Sequence, residues 1–162
     1  MNLGPDMCVP CGDGLLNLRV GAIIIRNGKV LMVKSAQGYC YSIGGRIRFG
    51  ERAEDAIVRE VREETGATLS IDRLGCVSEV YFINDTPQKQ GKIVYELALY
   101  YYMNTPEDFE PIADHVADGE EQLVWMAPDA KETIFPDFFR EAVLNPQQSV
   151  RFHSRDDRDL RR

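Results

Sequence analysis

The sequence predicts an α/β chain, because runs with strand alternation lie on both sides of a glycine-led, charge-rich helix and a second helix closes the pattern. Three stretches carry this. From Gly44 to Ala67 the chain reads GGRIRFGERAEDAIVREVREETGA. Gly44, Gly45 and Gly50 mark a loop that Glu51 closes, and the alanine- and charge-rich run behind it ends at Gly66, as a helix with a glycine C-cap does. From Lys92 to Met103 the residues alternate, with Ile93, Tyr95, Leu97, Leu99, Tyr101 and Met103 on one face and Val94, Glu96, Ala98, Tyr100 and Tyr102 on the other. Pro136 to Leu144 reads as the terminal helix, with Pro136 near its start.

The other elements follow in chain order. Residues 1–14 read as a tail, 15–152 as the domain, and 153–162 as a charged, solvated tail without an apolar pattern. Leu15 to Arg26 predicts a strand apolar on both faces near its end, where Ala22, Ile23, Ile24 and Ile25 follow one another. Asn27-Gly28 is a type I′ hairpin signal, and Lys29 to Lys34 returns as the second strand. Gln37 to Ser42 leads Tyr39, Cys40 and Tyr41 into the glycine loop. Ser70 to Ile83 pairs with Lys92 to Met103 across a polar tip, Asn84 to Gly91, that contains Pro87. Thr105 to Gly119 is a loop with a short helical turn, and Gln122 to Met126, centred on Trp125, is a strand.

On the motif helix Glu60, Glu63 and Glu64 fall within an arc of roughly 100°, with Ala53 and Ala56 on the same side. Like charges at such spacings cost a few tenths of a kcal/mol per pair, and Glu64 lies beside the apolar stripe of Ile57, Val58 and Val61. A hard divalent cation, Mg²⁺ or Mn²⁺, resolves the conflict, since it requires clustered oxygen ligands. The plainer reading is a solvated face on which Arg59 and Glu63 make an ordinary i,i+4 pair. The loop favours the metal. From Gly45 the spacing is five residues to Glu51, seven to Arg59-Glu60-Val61, one to Glu63-Glu64, one to Gly66-Ala67. This resembles the signature of the Nudix hydrolases, of the MutT-like type, at every charged and glycine position. Ala67 stands where the family usually has a larger aliphatic residue, and Ser42-Ile43 precede the glycine pair where the family commonly has a proline.

The resemblance implies a Nudix α/β/α sandwich, a mixed sheet between helices, and metal-dependent hydrolysis of a phosphoanhydride in a nucleoside diphosphate linked to another group. By position, Glu60, Glu63 and Glu64 would hold the metal, helped by the Gly44 carbonyl, and Arg59 would pair with Glu51. The base would be Glu64 or Glu60, with Glu120 or Glu96 as alternatives from outside the motif. Glu120 and Glu121 precede the Gln122 strand, and in the family an acid from such a loop often completes the metal site. Glu96 and Glu79 are acids inside strands, hence paired or functional. Arg46 and Arg48 flank the loop and would complement a diphosphate. Arg19 and Lys34 either point to a phosphate or are exposed strand-end charges. Modified nucleoside triphosphates, ADP-ribose or other sugar nucleotides, and dinucleoside polyphosphates all remain open as substrates. A catalytically silent nucleotide-binding or regulatory module is the alternative. Isoprenoid diphosphate isomerisation on this fold needs a cysteine motif that is not found around Cys40 or Cys76.

A net charge of −7 argues against a nucleic-acid polymer or an anionic membrane as partner. The longest purely apolar run is Ala22 to Ile25, too short to span a bilayer, and MNLGPDMCVPCGDG lacks the regions of a secretory signal. The expected location is cytoplasmic, with Cys8, Cys11, Cys40 and Cys76 reduced. Cys8 and Cys11 form a CxxC, half of a zinc site at most, in a loosely packed tail. Tyr100, Tyr101 or Tyr102 would stack on a base, or are simply strand tyrosines. Homodimers are common in the family.

Overall fold

The computed structural model describes residues 3–84, 91–112, 121–146 and 148–159. Pro87 and Glu120 lie outside the described residues. Strand β2 (Gly14–Ile23) and strand β4 (Lys29–Lys34) form its centre, and both are buried on both faces. The reason is visible in their sequences, where apolar residues run consecutively. Val20, Ala22, Leu31 and Val33 point to one core with Ala56, Ile57 and Val61 of helix α1 (Ala53–Thr65). Their neighbours Ile23, Val30 and Met32 point to a second core with Phe139 and Ala142 of helix α2 (Phe139–Leu144). Helices therefore cover both faces of an α/β structure.

The remaining strands are β1 (Cys8–Cys11), β3 (Ile25–Arg26), β5 (Cys40–Ser42), β6 (Gly44–Arg46), β7 (Ile71–Asn84), β8 (Lys92–Met103), β9 (Gln122–Met126), β10 (Ile134–Phe135) and β11 (Arg151–Asp156). They divide into two mixed sheets. One runs β1-β2-β8-β7-β11 with β6 also on β2, and the other runs β10-β5-β4-β3 with β9 also on β4. The strand expected over Leu15 to Arg26 breaks at Ile24, which crosses from one sheet to the other fully buried. Asn27 and Gly28, at φ 50° and 70°, make the type I′ turn that returns the chain into β4. β4 and β8 start and stop where the alternation does.

Both expected tails are partly sheet. β1 pairs antiparallel with β2 from Cys8 opposite Asn17 to Cys11 opposite Gly14, and the Met7 N–H donates to the Ile47 carbonyl at 2.8 Å. Backbone pairing holds this segment, so its lack of apolar pattern hid it. Cys8 and Cys11, three apart on an extended strand, face opposite sides and do not form a chelating pair. None of the four cysteines is joined in a disulfide. At the other end β11 lies parallel to β7, from Arg151 beside Cys76 to Asp156 beside Tyr81. Its alternating charges are period-two sheet residues, and Asp157 is buried against Arg155 at 2.7 Å.

Other differences are local. The terminal helix starts at Phe139 rather than at Pro136. Gly44 and Gly45 belong to strand β6, paired with Gly21 and Val20, and not to a loop. Tyr100, Tyr101 and Tyr102 are all buried in the two cores and present no face to a base. Glu79 accepts from the Tyr95 hydroxyl at 3.0 Å and the Ser154 hydroxyl at 2.7 Å, which accounts for an acid in β7 structurally. Among the described residues no helix is long and apolar enough to cross a membrane.

Candidate active site

Helix α1 presents the site. Its buried stripe, Ala56, Ile57, Val61 and Thr65, fixes its rotation against the sheets. Glu54 and Asp55 lie in its first turn, where the helix dipole favours acids. Gly66, at φ 72°, ends it in the left-handed conformation, with its N–H on the Arg62 carbonyl. With the stripe buried, Arg59, Glu60 and Glu64 face β6.

One ion pair ties the helix to the glycine segment. Arg59 donates from Nε to Glu51 Oε1 at 2.7 Å and from Nη2 to Glu51 Oε2 at 2.8 Å. The same Nη2 reaches the Arg46 carbonyl at 3.1 Å, and the Arg48 N–H donates to Glu51 Oε2 at 3.1 Å. Two parallel bonds of this kind give geometry as well as energy. The hydrogen bond from Arg59 holds the Glu51 carboxyl below its ordinary range, against the opposing effect of burial. Glu51 in turn holds the Arg59 guanidinium protonated.

The three helix acids have different surroundings. Glu60 pairs with Arg59 Nη1 at 2.6 Å, and Glu63 meets the same nitrogen at 3.2 Å and Arg48 at 3.9 Å. Glu64 accepts from the Gly44 N–H at 3.3 Å. Burial pushes the Glu64 carboxyl up to about 8; the Gly44 N–H opposes this, while the Glu60 and Glu121 charges add to it and Arg19 opposes it. Glu121, expected alongside Glu120, therefore lies close enough to act on Glu64, and it accepts from the half-buried Tyr41 hydroxyl.

The arginines expected to meet a phosphate are all engaged. Arg19 Nη2 lies 3.5 Å from the Gly44 carbonyl and its Nη1 lies 3.8 Å from Glu96. The Gly44 carbonyl, expected to assist a metal, thus faces a guanidinium. Arg46 donates to Asn17 Oδ1 at 3.1 Å and meets Asp6 at 3.5 Å, and Arg48 meets Asp6 at 3.8 Å. Glu96 sits beyond Arg19, accepting from Asn17 Nδ2 at 2.8 Å. Asn17 and Asp6 escaped the sequence reading. Asp6 lay in the supposed tail, and the one available signal for Asn17 was a polar residue at an inward position of a buried strand.

Among the described residues no three acids, histidines or cysteines converge as a ready-made metal site. The donors nevertheless fit a hard divalent cation. Glu64 is a carboxylate forced to hold its proton by burial and by two like charges, which a cation would relieve. Gly45 supplies the room, since a Cβ there would lie 2.5 Å from Glu60 Cδ. The oxygen-only donor set suits Mg²⁺ or Mn²⁺.

Comparison with known proteins agrees with this geometry. The family model for the NUDIX domain matches residues 15–143. Nudix hydrolase 1 of Caenorhabditis elegans is 39% identical over 82 residues, covering 46% of this chain and 22% of that protein, so the match spans about a fifth of the relative's length. The mutator MutT protein from Bacillus halodurans superposes with TM-score 0.61 at 18% identity, over 85% of this chain and 88% of that one. An ADP-ribose pyrophosphatase from Streptococcus suis superposes with TM-score 0.53 at 20% identity, over 84% and 98%. At such identities the superpositions speak for the fold. Together with the domain match over most of its length, they place the chain: it belongs to the Nudix family.

Proposed function

We propose that this chain is a divalent-metal-dependent pyrophosphohydrolase that cleaves a phosphoanhydride bond in a nucleoside diphosphate linked to another group. The observation that carries this reading is the Arg59–Glu51 pair, which clamps the carboxylate face of α1 onto the Gly44–Gly45 strand. Glu60, Glu63 and Glu64 would hold Mg²⁺ or Mn²⁺, with an acid of the segment before β9, Glu120 or Glu121, as a further ligand. When bound, the metal would lower the pKa of water and neutralise charge on the phosphate oxygens.

The chain's own residues supply the rest. Glu64, or Glu60 beside it, takes the proton of the attacking water, each being a carboxylate on the face of α1 that meets the glycine strand. Arg19 and Arg46 orient the substrate phosphates from β2 and β6. Glu51 and Arg59 keep the catalytic face in register with the glycine strand. The substrate is a modified nucleoside triphosphate, a sugar nucleotide such as ADP-ribose, or a dinucleoside polyphosphate. We place the enzyme in the cytoplasm, with no nucleic-acid polymer or membrane as partner, and as a homodimer whose mass light scattering would test.

The test is phosphate and pyrophosphate release from a panel of these three substrate classes, with Mg²⁺, with Mn²⁺ and with chelator. Metal-dependent turnover concentrated on one class is the expected result. A catalytically silent nucleotide-binding module is the second reading, favoured by Glu60 and Glu63 both being spent on Arg59. Tight nucleotide binding with no turnover in any metal would decide for it.

A further inference from the structure

The face of the first sheet beside the glycine strand carries a polar cluster that a phosphate site alone does not require. Asn17 on β2 pairs in register with Glu96 on β8, and Arg19 with Arg46 on β6, so these four side chains share one face. Further along that face Tyr100 closes over Gly21, where even a Cβ would collide with its ring. Asn17 is 5% exposed. Its amide bridges the cluster, accepting from Arg46 Nε and donating to Glu96 Oε2.

Glu96 is the unexpected member. Its side chain is 17% exposed, beside an Arg19 side chain that is 33% exposed, so the cluster opens to solvent. Asn17 and Arg19 both meet Oε2, and among the described residues no hydrogen bond reaches Oε1. Arg19 bridges from Glu96 to the Gly44 carbonyl, next to Glu64. A carboxylate within reach of phosphate-binding arginines weakens phosphate binding by charge repulsion. It suits a neutral group that donates hydrogen bonds, one moiety beyond the phosphates.

We infer that Glu96, oriented by Asn17, is a specificity-determining residue that accepts hydrogen bonds from the ribose hydroxyls of a nucleotide whose phosphates lie against Arg19. This rests on the hydrolase reading for the position of the phosphates and adds the identity of the group beside them. It favours ribonucleotide substrates over 2′-deoxy triphosphates and over bare polyphosphate. Asn17 is a positioning residue, since its buried amide bridges Arg46 and Glu96.

Binding of three non-hydrolysable probes in Mg²⁺, by titration calorimetry, tests this without relying on turnover. They are α,β-methylene-ADP, its 2′-deoxy counterpart, and methylenediphosphonate. Wild type should bind the ribonucleotide about tenfold or more tighter than the deoxynucleotide, as expected for a hydrogen bond to a charged group. Glu96→Gln, which keeps the shape and so the fold, should shrink that ratio at least severalfold while methylenediphosphonate binding holds or improves, because Arg19 is released. Asn17→Ala should shrink the ratio too, with Glu96 present but unaligned. Equal binding of ribo and deoxy probes by wild type, or an equal loss of all three probes in Glu96→Gln, overturns the inference. No binding of methylenediphosphonate to wild type overturns the hydrolase reading and this one with it.

Discussion

Glu64 and the two glycines beside it set the sharpest expectations at the level of single residues. Replacing Glu64 with Gln keeps its shape and its contact with the Gly44 N–H but removes the charge, and should lower turnover by at least about 10²-fold. Because burial makes that charge costly in the metal-free protein, the variant should melt no lower than wild type in chelator. Near-normal turnover in the folded variant would remove Glu64 from the chemistry. Gly44 and Gly45 are neighbours with different duties. A Cβ on Gly44, at φ 142°, would meet the Val20 carbonyl and lie 2.8 Å from the Gly21 Cα, both rigid backbone. The nearest atoms to a Cβ on Gly45 belong to the end of the Glu60 side chain, which can swing away. Gly44→Ala should therefore lose about 1–3 kcal/mol of stability, whereas Gly45→Ala should keep its melting temperature and lose activity. Thermal melts and rates on the same two proteins check this, and the reverse pattern would mean that Glu60 does not act from where it sits.

At the level of elements, the join between α1 and the glycine strand depends on Glu51, whose side chain is 4% exposed. Its carboxyl is held below the ordinary range, so the unfolded chain binds more protons in acid than the folded one. The stability it contributes is complete above the ordinary carboxylate pKa and disappears as pH falls through the lowered folded value. Glu51→Gln should cost about 2 kcal/mol at neutral pH and flatten the acid limb of the stability profile, measured by denaturant unfolding from pH 7 down to pH 3. An unchanged acid limb would show that Arg59 holds the helix without it. This join was legible in the sequence, because the spacing from Gly45 to Glu51 to Arg59 is local. So were β4, β8 and β9, whose alternation is a property of neighbours. β1, β5, β6, β10 and β11 were not, since they are short or polar and owe their extended shape to partners distant in sequence. Asn17 opposite Glu96 is a contact of the same non-local kind, which is why an acid that looked anomalous on its strand had no visible reason until β2 was laid beside β8.

Across the whole molecule, the two cores place α1 and α2 on opposite faces of the sheets, so the acids gathered on one side of α1 lie apart from α2. Glu60 and Glu63 share Arg59, and Glu64 is left with a backbone N–H and a distant guanidinium. A ligand that binds the folded chain and not the unfolded one stabilises it by mass action, by about 2.7 kcal/mol when free metal is 100-fold above its Kd. For a chain of this size that corresponds to a rise in melting temperature of roughly 5–10 °C. Mg²⁺ or Mn²⁺ should produce such a rise over chelator, while Ca²⁺-free sodium chloride at equal ionic strength should not, which separates site binding from screening. Glu64→Gln should lose most of the rise, and Arg158→Ala, whose side chain pairs with Asp156 of β11, should keep it. Identical melting of the wild-type chain in metal and in chelator would mean that the carboxylates of α1 are accommodated by Arg59 and solvent alone, and the assignment of the helix as a metal-holding face would then fail together with the proposed reaction.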